Sequence, residues 1–248
     1  MNLASATSWR LQVHEVLPST SDLCRSLATH GEPHGLAVLA HRQSQGRGSR
    51  GRDWSSPAGN LALSVLLRPN LPPRDAAQMS LLAGVALAEA TQTFAPDAAL
   101  ALKWPNDLLL NQAKLAGILI ETHGADGTLD WLIIGIGVNL AHAPNIPGRA
   151  TDALAQHGPA PSPEAFAPVL LARLDQWLQT QARHGFAPIR TAWLGYAQPP
   201  GSPMSLKLGD QIIAGHFIGL GDDGSLHLQT SAGPRHFTAG DVLFPSET

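Results

Sequence analysis

Cysteine is almost absent from this 248-residue sequence, which has Cys24 alone. One cysteine cannot form an internal disulfide and cannot supply a multi-cysteine zinc or iron–sulfur site. Eleven histidines are present, but no pair has helical i, i+4 spacing in a segment able to be helical, because Gly31 and Pro33 interrupt His30 and His34. The sequence therefore gives little support to a metalloenzyme.

Long apolar runs and a basic leader are also missing. No apolar run reaches the roughly 18 residues that a membrane span needs, and residues 1–16 lack a basic start followed by an apolar core. The formal net charge of -3 argues against general nucleic-acid binding. We therefore expect a cytoplasmic protein with no membrane segment and no nucleic-acid partner.

Residues up to about 197 mix strands with helices. Apolar runs predict six strands, at residues 35–41, 60–68, 100–104, 107–110, 114–121 and 129–140. Helical periodicity predicts one helix at residues 74–94 and another that begins after the N-cap Ser162 and ends at Gly185, with Pro168 delaying or kinking its first turn. This pattern indicates a sheet with few crossover helices.

The pattern of apolar and polar residues changes after the segment AQPPGSP near residue 198. Short apolar stretches separated by tight turns such as GDDG follow to the end of the sequence. They predict a small β barrel of about 45 residues. We therefore divide the chain into domains at residues 1–197 and 198–248.

The segment HRQSQGRGSRGRDW, residues 41–54, concentrates four arginines and three glycines in one loop. Its glycines match G-x-G-x-x-G, but Pro57 and Gly59 follow where a dinucleotide-binding turn needs a helix. It is not a P-loop, since Arg52 and Asp53 follow Gly51, and it is not a nucleophile elbow around Ser49. By itself the loop indicates an anion site or a solvated charged loop.

A second polar block, KWPNDLLLNQAKLAGILIE, begins at the end of an apolar strand. It places Lys103, Asn106 and Asp107 at a rigid strand end, and Lys114 at the start of the next strand beside Gly117. Only three of the 16 basic residues are lysines, so a retained lysine favours a role that arginine cannot fill. Taken alone, however, PND is also a common turn sequence, and strand-end lysines are usually solvated.

Five motifs in order, STSD, QSQGRGSRGRDWSSPAGNL, KWPNDLLL, KLAGILIE and GIGVNL, closely resemble those of the biotin protein ligases over nearly the whole chain. The resemblance is to the monofunctional type without an N-terminal DNA-binding domain, because the Ser-Thr motif starts at Ser19 and leaves no room for a winged-helix domain.

The resemblance implies an α+β fold. The expected catalytic domain has a mixed β-sheet flanked by helices, as in class II aminoacyl-tRNA synthetases, and is followed by a small Src-homology-three-like barrel. The implied reaction joins biotin and ATP, with Mg²⁺, into biotinyl-5′-adenylate and then transfers biotin to a lysine of the biotin carboxyl carrier domain of acetyl-CoA carboxylase. The carrier's identity and the oligomeric state, including a homodimer, stay open.

The family's site residues carry over by position. The biotin head and pocket are matched by Ser19, Thr20, Ser21, Gln43, Arg47, Gly117 and Leu119. The loop over biotin and adenylate is matched by Arg47, Gly48, Ser49 and Arg50, with Arg52 near the phosphates and Trp54 near the adenine. The nucleotide and its Mg²⁺ are matched by Asn106, Asp107, Lys114 and Asn139. Lys114, Arg47 and Arg50 are the implied catalytic residues, and Asp107 is the implied Mg²⁺ ligand.

Two positions depart from the family pattern. Ser21 stands where asparagine is often found, and Ser49 stands where the family often has another arginine. Two alternatives also stay open: a lipoate-type ligase of the same superfamily, and a non-catalytic biotin-binding protein or regulator. Biotin incorporation into a carrier domain separates the ligase from the binder.

Overall fold

The computed structural model describes residues 6–243. Seven strands form the main sheet: β1 (Arg10–Leu17), β2 (Leu36–Gln43), β3 (Leu61–Leu67), β4 (Leu100–Lys103), β5 (Asp107–Leu110), β6 (Ala113–Ala125) and β7 (Thr128–Val138). Their order across the sheet is β1-β2-β3-β7-β6-β5-β4. Only the β1–β2 pair is parallel, and the remaining neighbours are antiparallel, so the sheet is mixed as expected.

Four helices cover the two faces of this sheet: α1 (Thr20–Thr29), α2 (Ala76–Phe94), α3 (Pro163–His184) and α4 (Ala187–Tyr196). Successive strand residues point to opposite faces, and the two faces are buried in separate clusters. Leu39 and Leu63 belong to the cluster that includes α2, α3 and α4, whereas Val38 and Leu66 belong to the cluster that includes Cys24 of α1. The fold therefore has three layers, with α1 alone on one side.

Helix α3 begins and ends as its sequence predicts. The Ser162 side chain accepts a hydrogen bond from the Ala165 backbone N–H, and Pro163 occupies the first helical position. Gly185 ends the helix with φ of 70°, a conformation that favours glycine. Pro168 lies inside the helix without ending it.

Five further strands form the C-terminal sheet: β8 (Pro203–Leu208), β9 (Gln211–Leu220), β10 (Leu226–Thr230), β11 (Gly233–Phe237) and β12 (Asp241–Leu243). Their order is β11-β10-β9-β8-β12, with antiparallel neighbours throughout, as an SH3-like domain has. Buried residues of this sheet, including Phe217 and Leu226, join the core cluster of the main sheet.

Several sequence-based boundaries need correction. The strand predicted at 114–121 runs from Ala113 to Ala125, and the strand predicted at 129–140 ends at Val138. The helix predicted at 74–94 starts at Ala76, after a 3₁₀ turn at Pro73–Asp75. Strand β1 and helices α1 and α4 were not predicted. Within residues 6–243, no helix combines the length and apolar character that a membrane span requires.

Candidate functional site

A cleft of about 860 Å³ opens beside the arginine-rich loop, above β3, β6 and β7. Most of the sequence-predicted site residues line it: Ser19, Thr20, Ser21, Gln43, Arg47, Gly48, Ser49, Trp54, Asn106, Lys114, Gly117, Leu119 and Asn139. Arg52 lines it as well. Asp107 and Arg50 lie beside the cleft, where Asp107 pairs with Lys114 and Arg50 pairs with Asp241.

One end of the cleft carries a network of hydroxyl and amide groups, which we call the hydroxyl end. The Thr20 backbone N–H and hydroxyl donate to Gln43 Oε1 at 2.8 and 3.1 Å. The Ser64 hydroxyl lies 2.7 Å from that of Thr20 and 2.9 Å from that of Ser21. Gln43 Nε2 donates to Ser56 Oγ at 2.9 Å. Since Gln43 Oε1 accepts and Nε2 donates, these contacts fix the orientation of the Gln43 amide. These groups can donate to and accept from a polar ring system such as a ureido head.

Ser19 has a structural role in the same place. Its side chain caps α1 by accepting a hydrogen bond from the Asp22 backbone N–H at 3.3 Å. The cap holds the first turn of α1 at the hydroxyl end, so Thr20 and Ser21 are positioned by the start of a helix.

Glycines on β6 and β7 make room for Trp54. A Cβ added to Gly137 would overlap the Trp54 indole, and one added to Gly117 would lie 3.2 Å from it. Lys114 Nζ lies 5.6 Å from the Trp54 ring centroid, within the range of a cation–π contact. The Trp54 Nε1 donor is buried and has no partner among the described residues. Gly137 of GIGVNL and Gly117 of KLAGILIE therefore allow Trp54 of the loop to approach the sheet closely.

The arginine-rich loop folds back on itself as a compact turn. The Gly48 backbone N–H donates to Arg52 O at 2.7 Å, and the Trp54 N–H donates to Gly46 O at 2.8 Å. A Cβ on Gly46 would overlap the Trp54 carbonyl oxygen, so glycine is required there. Arg50 has φ of 61°, which costs a non-glycine residue some strain.

Lys114 and Asp107 form the most enclosed ion pair of the cleft. Lys114 Nζ lies 2.5 Å from Asp107 Oδ1, and their side chains are 13% and 10% exposed. Burial lowers the pKa of Lys114, Asp107 opposes this, and the positive charges of Arg149 and Arg52 lower the pKa further. The net direction is downward, because the effect of burial outweighs the attraction of Asp107. A further anion in the cleft would favour the charged ammonium.

Three arginines converge on Asp241 of β12. Arg52 Nη1 lies 2.9 Å from Asp241 Oδ2, Arg50 Nη1 at 3.3 Å and Arg149 Nη2 at 3.7 Å. Burial alone would raise the pKa of Asp241, but the charges of Arg52, Arg50 and Arg149 lower it overall. Arg52 also donates to the Ser49 hydroxyl at 3.0 Å. The loop is thus joined to the C-terminal sheet through one carboxylate.

Two asparagines, Asn106 and Asn139, line the part of the cleft that the family resemblance assigns to the nucleotide. Asn106 Nδ2 donates to Ile118 O at 2.7 Å, which ties the turn after β4 to β6. Asn139 Nδ2 donates to Asp152 O at 3.1 Å, while its Oδ1 is buried without a partner among the described residues. A buried acceptor of this kind is costly unless a ligand donor meets it.

Sequence reasoning missed several residues of this site. Ser64, Glu121 and Asp241 were not singled out, although each contacts a predicted residue. Arg149, which lines the cleft and pairs with Asp241, was not singled out either. Arg149 had a weak signal, because it follows two prolines and a glycine in an irregular segment. A serine within a buried strand and an aspartate in a short C-terminal strand carry no comparable signal.

Comparisons with known proteins agree with this geometry. The model of the biotin/lipoate A/B protein ligase family matches residues 13–139, and the model of the biotin protein ligase C-terminal domain matches residues 201–244. The biotin--[acetyl-CoA-carboxylase] ligase of Paracoccus denitrificans is 40% identical over 237 residues, covering 90% of this chain and 99% of that protein. The bifunctional ligase/repressor BirA of Bacillus subtilis is 32% identical, covering 92% of this chain and 72% of that protein.

Solved structures give the same answer. The biotin protein ligase of Aquifex aeolicus in complex with biotin and ATP has a TM-score of 0.80 at 26% identity, covering 94% of this chain and 97% of that one. The biotin protein ligase of Leishmania major in complex with biotinyl-5-AMP has a TM-score of 0.66 at 27% identity, covering 93% and 99%. By fold, motifs and relatives together, this chain belongs to the biotin/lipoate A/B protein ligase family and, within it, to the biotin protein ligases.

Proposed function

We propose that this protein activates biotin with ATP to form biotinyl-5′-adenylate and pyrophosphate, and then transfers biotin to a lysine of a biotin carboxyl carrier protein such as that of acetyl-CoA carboxylase. The observation that carries the proposal is one cleft with a neutral hydroxyl end, a largely enclosed lysine and two loop arginines. It can hold a neutral polar ring at one end and an array of phosphates at the other.

The first step brings two anions together. A biotin carboxylate oxygen attacks the α-phosphorus of ATP, the bond from that phosphorus to the bridging oxygen breaks, and pyrophosphate leaves. Cationic groups are needed to screen the reactants and to hold them in line. We assign Lys114 to the carboxylate and the α-phosphate, and Arg50 and Arg52 to the phosphates. Arg47, of the same loop, is assigned to the biotin head at the hydroxyl end.

The second step needs access for the carrier. The neutral amine of the carrier lysine attacks the acyl carbon, AMP leaves with the electron pair of the broken C–O bond, and one proton is released. Lys114, Arg50 and Arg52 then stabilise the phosphate of the leaving AMP. The loop must open or shift for this exchange, which its glycines allow.

Asp107 is the residue we assign to Mg²⁺. Mg²⁺ is commonly bound through one or two carboxylates together with substrate phosphates and water, so a single protein carboxylate fits this donor set. Within residues 6–243 no group of three or more His, Cys, Asp or Glu side chains could hold a metal by itself. The ion would therefore enter with ATP, and it would neutralise phosphate charge.

Purified protein with ATP, Mg²⁺, labelled biotin and a carrier domain tests the assignment. Label on the carrier lysine, dependent on ATP, is expected. Labelled lipoate in a parallel reaction separates the lipoate-type alternative, and binding of biotin without pyrophosphate release would indicate a non-catalytic binding protein. Light scattering decides between a monomer and the homodimer that the family resemblance allows.

We assign catalysis to residues 1–197 and a supporting role to residues 198–248. The main sheet and the C-terminal sheet support this division, since each forms its own ladder. Cytoplasmic location is part of the proposal, and immunolocalisation of the tagged protein checks it.

We expect no sequence-specific binding to DNA, since the net charge of -3 offers no general attraction for phosphate backbones. Fluorescence anisotropy of labelled duplexes at physiological salt measures this. A duplex that binds with a clear sequence preference would contradict the prediction.

A further inference from the structure

Four side chains of alternating charge border the cleft next to its hydroxyl end. They are Asp22 and Arg25 of α1, Arg47 of the loop and Glu121 of β6, and we call them the charge ring. Arg47 Nη2 lies 2.9 Å from Glu121 Oε1, 2.8 Å from Oε2, and 2.9 Å from Asp22 Oδ1. Arg25 closes the ring at 2.5 Å from Asp22 and 3.5 Å from Glu121.

We propose that Glu121, supported by Asp22, is a positioning residue that fixes the Arg47 guanidinium at the hydroxyl end of the cleft for biotin. The inference rests on the proposed function and deepens it. Glu121 ends the motif KLAGILIE, but the resemblance gave it no role. The residue is outside the lining of the cleft, so it acts through Arg47.

The pattern of contacts carries the argument. The carboxylates of Asp22, on α1, and Glu121, on β6, both contact the same nitrogen of Arg47, Nη2. Arg47 Nε is buried and has no partner among the described residues, although Arg47 lines the cleft. Because a guanidinium is planar, three contacts at one end determine where the remaining N–H groups point. The ring therefore fixes the plane of the guanidinium and leaves Nε without a hydrogen-bond partner among the described residues.

Of the two carboxylates that contact Arg47, Glu121 holds it more firmly. Its side chain is 17% exposed, against 35% for Asp22, and it offers both oxygens to Arg47. Asp22 also holds the more exposed Arg25, so its single contact to Arg47 is shared. Removal of Glu121 leaves Arg47 with one shared partner and free to rotate, and biotin must then order the side chain as it binds.

A pre-ordered ground-state contact has a distinct kinetic signature. Biotin contacts Arg47 equally before and during attack on ATP, since the reacting carboxylate is at the other end of the substrate. Loss of ordering therefore raises the dissociation constant and the KM for biotin and leaves kcat unchanged. A loss of general structure would lower the melting temperature and kcat as well.

The test compares Glu121→Ala and Glu121→Gln with Glu32→Gln. Glu32 is a matched control because it pairs with Arg10 at 3.0 Å, away from the cleft. Biotin affinity without ATP is measured by equilibrium dialysis with labelled biotin, and kcat by pyrophosphate release at saturating biotin. We expect Glu121→Ala to weaken biotin about tenfold with kcat within twofold, Glu121→Gln to weaken it less, and Glu32→Gln to change neither.

A double-mutant cycle with Arg47→Ala shows whether Glu121 acts through Arg47. We expect Glu121→Ala to have no further effect on biotin affinity once Arg47 is alanine. Additive losses, or an unchanged affinity of Glu121→Ala in the wild-type background, would overturn the inference. If the alanine variant fails to fold, Glu121→Gln gives the same cycle. A wild-type chain that binds no biotin would overturn the proposed function and this inference together.

Discussion

Lys114 is partly buried and pairs with Asp107 at the point where the reacting anions are expected to meet. Substitution by alanine removes one charge-assisted contact to the carboxylate and phosphate, and such a contact is worth roughly 1.5 to 3 kcal/mol. We expect Lys114→Ala to keep the fold and to lose most adenylate formation, measured as pyrophosphate release. Lys114→Arg is also expected to be impaired, because a planar fork does not replace a compact ammonium.

The same lysine predicts a pH dependence. The pKa of Lys114 is lowered by burial and the nearby arginines, so its proton is lost at a pH below the ordinary lysine range. Adenylation should therefore fall on the alkaline side earlier than an ordinary lysine would allow, and Lys114→Arg should remove that limb from its remaining activity. Lys207→Ala, on the exposed part of β8, is the matched control. Near-native adenylation by Lys114→Ala would contradict the assignment.

Ser49 is held within its own loop, where its hydroxyl accepts from Arg52 at 3.0 Å and its carbonyl from Arg52 Nε at 3.2 Å. Introduction of arginine at this position adds a contact that can retain the adenylate. We expect Ser49→Arg to slow release of biotinyl-adenylate by about ten- to a hundredfold, the equivalent of roughly 1.5 to 3 kcal/mol, with carrier biotinylation within a few-fold.

Rapid mixing measures the release rate of biotinyl-adenylate from both proteins. Ser44→Arg, at an exposed position outside the lining of the cleft, controls for added charge. Identical rates for the wild type and Ser49→Arg would reassign the retention role to Arg50.

The position of the arginine-rich loop depends on Asp241, whose carboxylate forms ion pairs with Arg50, Arg52 and Arg149. Asp241→Asn keeps the volume of the side chain but loses its charge. We expect trypsin to cut after Arg50 and Arg52 several-fold faster in this variant, because Arg50, Arg52 and Arg149 then repel one another without a carboxylate between them. A non-hydrolysable adenylate analogue should protect both proteins.

Asp222→Asn is the control for this prediction, since Asp222 lies in the exposed turn between β9 and β10 and pairs with Arg190 of α4, not with the loop. Equal cleavage of the wild type and Asp241→Asn would show that other contacts hold the loop. The pKa of Asp241 is lowered, so its stabilising contribution is present above the ordinary aspartate pKa. That contribution is lost only as the pH falls through the lowered value.

At the scale of the whole molecule, contacts such as that of Trp104 join the main sheet to the C-terminal sheet. Trp104 Nε1 donates to Gly224 O at 3.1 Å, and Trp104 is only 4% exposed. Trp104→Phe leaves the Gly224 carbonyl without this donor, at a cost of about 1 to 3 kcal/mol, and it leaves a void as well. We expect a lower melting temperature and loss of hydrogen-exchange protection in the C-terminal sheet first.

Trp177→Phe is the matched control, because Trp177 Nε1 donates to Glu89 at 3.1 Å, from α3 to α2. Trp177→Phe should leave the hydrogen-exchange protection of the C-terminal sheet unchanged. A uniform loss of protection in Trp104→Phe would mean that the two sheets unfold as one unit.

Local patterns determined several elements of this protein, since the caps Ser162 and Gly185 and the buried strands depend on a few neighbouring residues. The mixed sheet, the site residues and the family were instead implied by the resemblance of the ordered motifs, and most of those site residues line the cleft. Strand β1 was missed because it is an edge strand whose Val13 and Val16 are exposed, which gives no pattern of burial. Helix α1 was missed because only ten residues carry its signal.

Tertiary structure alone decided which partners meet at the cleft. Arg52 and Asp241 are 189 residues apart in sequence, and Arg47 and Glu121 are 74 apart. The charge of each residue is visible in the sequence, but a contact between them depends on how the loop, the main sheet and the C-terminal sheet are placed. Pairing over such distances is set by the packing of whole elements, because burial of apolar surface, and not the ion pairs, supplies most of the free energy that positions them.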